Sequence, residues 1–289
     1  MAIIFKGNER FAYRDPACFY YGGKYRLFFT VSEKDGGYMY NRVGYSESAD
    51  LRDWSEPRLI TVRDKALNFC SPGNILEHDG EYLLCVTSYP MDFPYTERDH
   101  ADETARLFFI KTSDFQGFTE PKRIYPKGKE CADEGRMIDP YLLSDRDGGG
   151  RYLLFYKQNG VSVSESYDLE SWKYLGHTEG GENACVLLRD GKYFLIHSPK
   201  NGIGFKEAET PGEWRDLGVT TLSQDEWAWA SGRLTAGFAM EIPDEDAVNR
   251  RKYALFFHGS RKESIPETHG DASLAVMFTD DFVSFYDYE

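Results

Sequence analysis

The sequence predicts an all-β chain folded as a five-bladed β-propeller, and two recurring marks and one compositional fact carry that expectation. The first mark is a turn followed by a Tyr-led apolar strand, met five times in the 289 residues, at 22–30, 79–88, 148–157, 190–198 and 250–259; the leading residues are Tyr25, Tyr82, Tyr152, Tyr193 and Tyr253. The second is a short acidic turn that follows each Tyr-led strand and closes on an aromatic residue, at Trp54, Phe118, Trp172, Trp214 and Phe285. In four of these five turns an Asp stands four residues before the aromatic. The compositional fact is an aromatic content of 16%, with 20 Tyr and 20 Phe, which suits pleated, half-buried strands. Ala-rich or Leu-rich helical stretches are scarce.

Two marks that keep step five times define a repeat of roughly 40 to 60 residues. A unit of that length holds four strands, the blade of a propeller, in which radial stacking leaves only short, protected sheet edges. An irregular β-sandwich also separates its strands with Gly-containing turns, but it gives no reason for two marks to stay in register. The whole chain, 1–289, is read as one propeller domain. The segment 3–5 is expected to close the ring by adding a strand to the last blade, because the sequence stops soon after the fifth acidic turn.

In a propeller the first strand of each blade lines the central channel. Aligning backwards from the tyrosines places Asp15 ten residues before Tyr25, Ser71 eleven before Tyr82, Asp139 thirteen before Tyr152 and Glu182 eleven before Tyr193. On this alignment Asp15, Asp139 and Glu182 are equivalent residues of three blades and converge at the axis. Carboxylates crowded together repel, and at least one is pushed toward its protonated form. Glycoside hydrolysis uses such a set: one carboxyl protonates the leaving oxygen, another activates water or attacks the anomeric carbon, and a third tunes the acid.

The segments that hold these residues, RDPACFYYGGKYRLFFT, IDPYLLSDRDGGGRYLLFYK and GENACVLLRDGKYFLIHSP, resemble in order and spacing the superfamily of five-bladed propellers formed by glycoside hydrolase families 43 and 32. The resemblance spans nearly the whole chain. It implies that Asp15 is the general base of an inverting enzyme or the nucleophile of a retaining one, that Asp139 tunes the acid and contacts sugar hydroxyls, and that Glu182 is the general acid. Family 32 usually has Asn before the first Asp; Arg14 stands there in this chain and favours the family 43 side and inversion. Glu182 is followed by Asn183-Ala184, where these families usually carry Gly-Pro or Cys-Pro. The expected substrates are short oligosaccharides or glycosides, arabinofuranosides and xylosides foremost. A retaining fructofuranosidase-type enzyme and a non-catalytic carbohydrate-binding propeller are the alternatives.

Around this set, Arg14, Ser71, Asn74 and Arg233 are expected to contact substrate, Arg233 as the fifth blade's counterpart of the carboxylates. Trp227 and Trp229 are read either as a stacking platform for a sugar ring or as a buried pair on one strand face. His258 stands near the axis, where some members of the resembled families place a His in a calcium or water site. No cofactor is required by this chemistry; the channel is left open to a calcium ion. The loop 90–106, with Phe93 and Tyr95, is expected to shape subsites, while His100 with Asp99, Asp102 and Glu103 lacks the fixed geometry of a metal site. A formal charge of -14 argues against nucleic acid or an anionic membrane surface as partner and leaves a carbohydrate compatible. Five scattered cysteines without a C-x-x-C pair, and an N-terminus without the apolar core of a signal peptide, point to a cytoplasmic protein.

Overall fold

The Tyr-led segments become the second strands of five antiparallel sheets. In the computed structural model, which describes residues 2–94, 102–131, 134–145, 149–244, 250–262 and 270–288, the chain opens with β1 (Ala2–Phe5) and continues into blade one, β2 (Phe11–Tyr21), β3 (Lys24–Asp35), β4 (Tyr38–Ser48) and β5 (Arg58–Leu59). Blade two holds β6 (Phe69–Cys70), β7 (Ile75–His78), β8 (Glu81–Ser88), β9 (Arg106–Thr112) and β10 (Lys122–Arg123). Blade three comprises β11 (Ile138–Ser144), β12 (Tyr152–Lys157), β13 (Val161–Ser166) and β14 (Lys173–Thr178); blade four comprises β15 (Glu182–Arg189), β16 (Lys192–Ser198), β17 (Ile203–Ala208) and β18 (Arg215–Thr220). Blade five contributes β19 (Arg233–Glu241), β20 (Tyr253–Ser260) and β21 (Ser273–Thr279), and β1 pairs antiparallel with β21 as its outermost strand. The ring closes as expected, through Ile3 opposite Ala275 and Phe5 opposite Leu274. Helical structure among the described residues is limited to single 3-10 turns.

The second strands are covered on both faces by neighbouring blades, so they read as unbroken apolar runs: Leu27 to Phe29, Leu153 to Phe155 and Leu255 to Phe257 are all essentially inaccessible. Their leading tyrosines bury as well, Tyr152 only partly. The acidic turns have a common mechanism. Asp50, Asp114, Asp168 and Asp281 each accept, through Oδ1, the backbone N–H groups two and three residues on, at 2.7 to 3.0 Å. This lets the residue after each Asp, namely Leu51, Phe115, Leu169 and Phe282, take a positive φ of 58 to 65° and drop its apolar side chain into the core. Blade four has Thr210-Pro211 in place of that Asp and apolar residue, and its turn is made by backbone bonds to the Thr210 carbonyl instead.

The innermost strands share a second device. Asp15, Ser71, Asp139, Asn183 and Ala236 have φ of 50, 45, 53, 52 and 56°, each at a break in the ladder between first and second strand. These five are the equivalent axial positions. Extra residues at such bulges turn the strand and re-aim side chains. In blade two the break is complete, separating β6 from β7; Gly73 lies so close to blade three that a Cβ would fall 1.5 Å from the Pro140 carbonyl oxygen.

Candidate active site

The bulge moves one residue in the expected alignment. The residues just before the five axial positions pair across the ladder as Arg14 with Thr30, Cys70 with Thr87, Ile138 with Lys157, Glu182 with Ser198 and Thr235 with His258. Glu182 therefore matches Arg14, not Asp15, and Asn183 is the true counterpart of Asp15 and Asp139. The fifth-blade counterpart is Ala236, three residues beyond Arg233. Counting from the tyrosines failed here because turn lengths between first and second strands differ, whereas cross-strand pairing is set by the bulge itself.

The pairing partners form a girdle. The axial N–H of each blade donates to the side chain that follows the preceding blade's Tyr by five residues: Ser71 N–H to Thr30 Oγ1 (2.7 Å), Asp139 N–H to Thr87 Oγ1 (3.0 Å), Ala236 N–H to Ser198 Oγ (2.7 Å) and Asp15 N–H to His258 Nδ1 (3.1 Å). Blade three has Lys157 at this place, a side chain without an acceptor. The Asn183 N–H turns instead to Asp139 Oδ2 at 3.1 Å, and Lys157 donates to the Gly180 carbonyl. Sequence reading missed Thr30, Thr87, Ser198 and Asn183, although the fixed five-residue spacing from each Tyr was visible.

A pocket of about 670 Å³, mouth included, opens on this girdle and is lined by Asp15, Asp139 and Glu182, with Arg14, Ser71, Arg136, Asn183, Arg233, Thr235 and His258, and toward the rim Met39, Tyr89 and Met91. Asp15 is buried; its Oδ2 accepts from Thr30 Oγ1 at 2.8 Å and Ser71 Oγ at 3.3 Å, and its Oδ1 from Asn183 Nδ2 at 3.3 Å. Burial raises its proton affinity, yet Arg14, His258 and the two hydroxyls outweigh that and hold the carboxyl below its ordinary value. Asp139 is driven the other way, to about 7, by burial and by the charges of Glu182 and Asp15, with the Asn183 N–H and Arg136 opposing. Glu182 is an ion-paired carboxylate, 2.5 Å from Arg136 Nη2 and 3.7 Å from Arg233 Nη2. Burial holds His258 neutral, its affinity for a second proton lowered to about 3, which suits its role as acceptor of the Asp15 N–H.

Of the residues expected to contact substrate, Arg14, Ser71, Arg233 and His258 line the pocket. Asn74 does not: its amide is spent on both backbone groups of Leu142, tying blade two to blade three. Trp227 and Trp229 also lie outside it, on the 3-10 turns before β19, where they stack on one another at 5.8 Å and onto Phe257. Both are only partly buried, and neither lies on a strand, so the pair buried on one strand face is not formed. Phe93 packs beside the cluster that includes Met39 and Met91; Tyr95, Asp99 and His100 fall outside the described residues. No three His, Cys, Asp or Glu side chains gather to hold a metal ion among the described residues. The five cysteines are free, all but Cys131 buried.

Fold and pocket together define the class, a five-bladed β-propeller with a carboxylate-rich pocket around its axis. Residues 10–167, more than half of the chain, match the sequence profile of the glycosyl hydrolases family 43, and the chain belongs to that family of glycoside hydrolases. Among solved structures it is similar to a GH43_1 enzyme from Xanthomonas citri complexed with xylotriose, at 15% identity and a TM-score of 0.65, covering 99% of this chain and 95% of the other. It is also similar to the α-L-arabinofuranosidase PaAbf62A from Podospora anserina in complex with cellotriose (16% identity, TM-score 0.65, 95% and 94% covered). A third similar structure is an exo-β-1,3-galactanase from Clostridium thermocellum (16% identity, TM-score 0.64, 91% and 58% covered). No curated protein matches the chain.

Proposed function

We propose that the protein is an inverting glycosidase that removes a sugar from short oligosaccharides or small glycosides, arabinofuranosides and xylosides foremost. Asp15 serves as general base, Asp139 tunes the acid, and Glu182 is the general acid. The observation that carries this reading is the division of state among three carboxyls of one pocket: Asp15 is held ionised by its neighbours, while Asp139 retains a proton up to about pH 7. The oxygen of a water attacks the anomeric carbon and gives its proton to Asp15; the bond from that carbon to the leaving oxygen breaks as Glu182 passes to that oxygen the proton that Asp139 holds. Glu182, its side chain 31% exposed, then returns a proton from solvent to Asp139. The xylotriose and cellotriose held by similar structures support a short carbohydrate ligand. Free thiols suit a cytoplasmic setting.

Replacing Glu182 with Gln is expected to lower turnover of aryl xylosides or arabinofuranosides with poor leaving groups by about 10² to 10⁴. Well-activated leaving groups should suffer much less, and far-ultraviolet circular dichroism should be unchanged. An unaltered rate on the poor leaving groups removes Glu182 from the acid role.

A further inference from the structure

We propose that the pocket wall where blade five meets blade one, formed by Arg14, Arg233 and Thr235, is an oxyanion subsite, and that a carboxylate-bearing sugar ring of an oligosaccharide substrate binds there. This subsite deepens the glycosidase reading and presupposes that the axial pocket is the substrate site. A chain with a formal charge of -14 nonetheless sets three guanidiniums, Arg14, Arg136 and Arg233, around one pocket. Asp139 keeps its proton to about pH 7 and so does not offset their charge below that pH.

Their placement is asymmetric. Arg136 and Arg233 stand at the same register of blades three and five, each three residues before its axial position, and bracket Glu182 between them. Arg136 is in contact with it; Arg233 is looser, at 3.7 Å. Arg14 on β2 and Arg233 on β19 line the same pocket on adjoining strands, and His258, which accepts from the Asp15 N–H and pairs with Thr235 in the ladder, links those strands. His258 is neutral and adds no negative charge there. Next to it in the ladder, Thr235 is 2% exposed, and its Oγ1 is buried without a hydrogen-bond partner among the described residues. The Arg14 Nε is likewise buried without one.

Neutral sugar hydroxyls would satisfy Thr235, but half-buried guanidiniums are complemented best by an anion. A carboxylate matches the planar fork of Arg in two parallel hydrogen bonds and leaves a lone pair for the Thr235 hydroxyl. A monoanion fits better than inorganic phosphate, because Asp15 and Glu182 flank the wall and repel a dianion more strongly. Drawing Arg233 toward the substrate also takes one of two cations away from Glu182, so the anionic substrate itself loosens the acid from its ion pairs.

The test is calorimetric titration of the purified protein with methyl β-D-glucuronide and methyl α-D-galacturonide, against methyl β-D-glucoside and methyl α-D-galactoside. At least one uronide is expected to bind about tenfold or more tightly than its neutral partner, as one charge-assisted pair warrants. Arg14→Gln and, separately, Thr235→Val should each shrink that preference, and Arg14→Lys should restore part of it. Equal or weaker binding of both uronides, or a preference that survives Arg14→Gln and Arg233→Gln alike, overturns the subsite. So does release of sugar 1-phosphate from an aryl glycoside in phosphate buffer, which would assign the wall to free phosphate. Hydrolysis of neutral glycosides without uronide preference removes the subsite and leaves the glycosidase reading intact. An Arg14-dependent preference without any hydrolysis keeps the subsite and removes the catalytic roles.

Discussion

At the residue scale the site turns on how one backbone irregularity distributes charge. The bulge sends Asp15 and Asp139 inward at equivalent positions while lifting Glu182 to the preceding one, with the longer Glu side chain reaching the same pocket. Asn183 then couples the two aspartates, its N–H on Asp139 and its amide on Asp15. Asp139, its proton affinity raised by burial and by the charges of Glu182 and Asp15, gives up its proton near pH 7. On the proposed mechanism kcat/KM falls as pH rises above about 7, and Asp139→Asn should remove or displace that limb in a pH–rate profile. Stability follows the same sign. The Asp139 carboxyl binds its proton more tightly folded than unfolded, so its contribution is present at low pH and is lost as pH rises from about 4 through about 7. Wild-type protein should therefore lose stability across that window relative to Asp139→Asn in urea titrations; parallel pH dependences would contradict the raised affinity.

At the scale of the element, the repeat's two marks prove to be anchoring devices. The acidic turns were legible as a pattern, and their function in tucking Leu51, Phe115, Leu169 and Phe282 into the core follows from local hydrogen bonding that spacing alone implies. The tyrosines do more than begin a strand. Tyr193 donates its hydroxyl to Asp145, whose side chain is 1% exposed and also paired with Arg151, so one blade's second strand is pinned to the turn of its neighbour. Tyr193→Phe should cost about 1 to 2 kcal/mol in urea-induced unfolding, since Arg151 still serves the carboxylate. A loss near zero would mean the bond is exchanged for water without penalty.

At the scale of the whole molecule, closure depends on a strand contributed from the far end of the chain. Phe5 on β1 packs on Phe29 at 4.8 Å and on Tyr13 at 5.4 Å, so the strand that completes blade five also seals its seam with blade one. Phe5→Ala removes a half-buried ring and should cost about 2 kcal/mol, less than the 3 to 5 typical of a fully buried Phe. Deleting residues 2–5 bares the β21 edge and should raise aggregation, as seen by light scattering during thermal unfolding.

The amino-acid sequence by itself determined the number of blades and which three carboxyls meet in one pocket, because each rests on a short pattern repeated along the chain. Asp15 and Asp139 were legible for that reason. What only the tertiary structure decided is register and partnership: that Glu182 matches Arg14 and Asn183 matches Asp15 in the ladder, that Asn74 ties two blades together, and that two arginines bracket Glu182. These depend on how adjacent blades meet. Turn lengths vary from blade to blade, so distance along the chain does not measure position around the axis, and only the hydrogen-bonded ladder does.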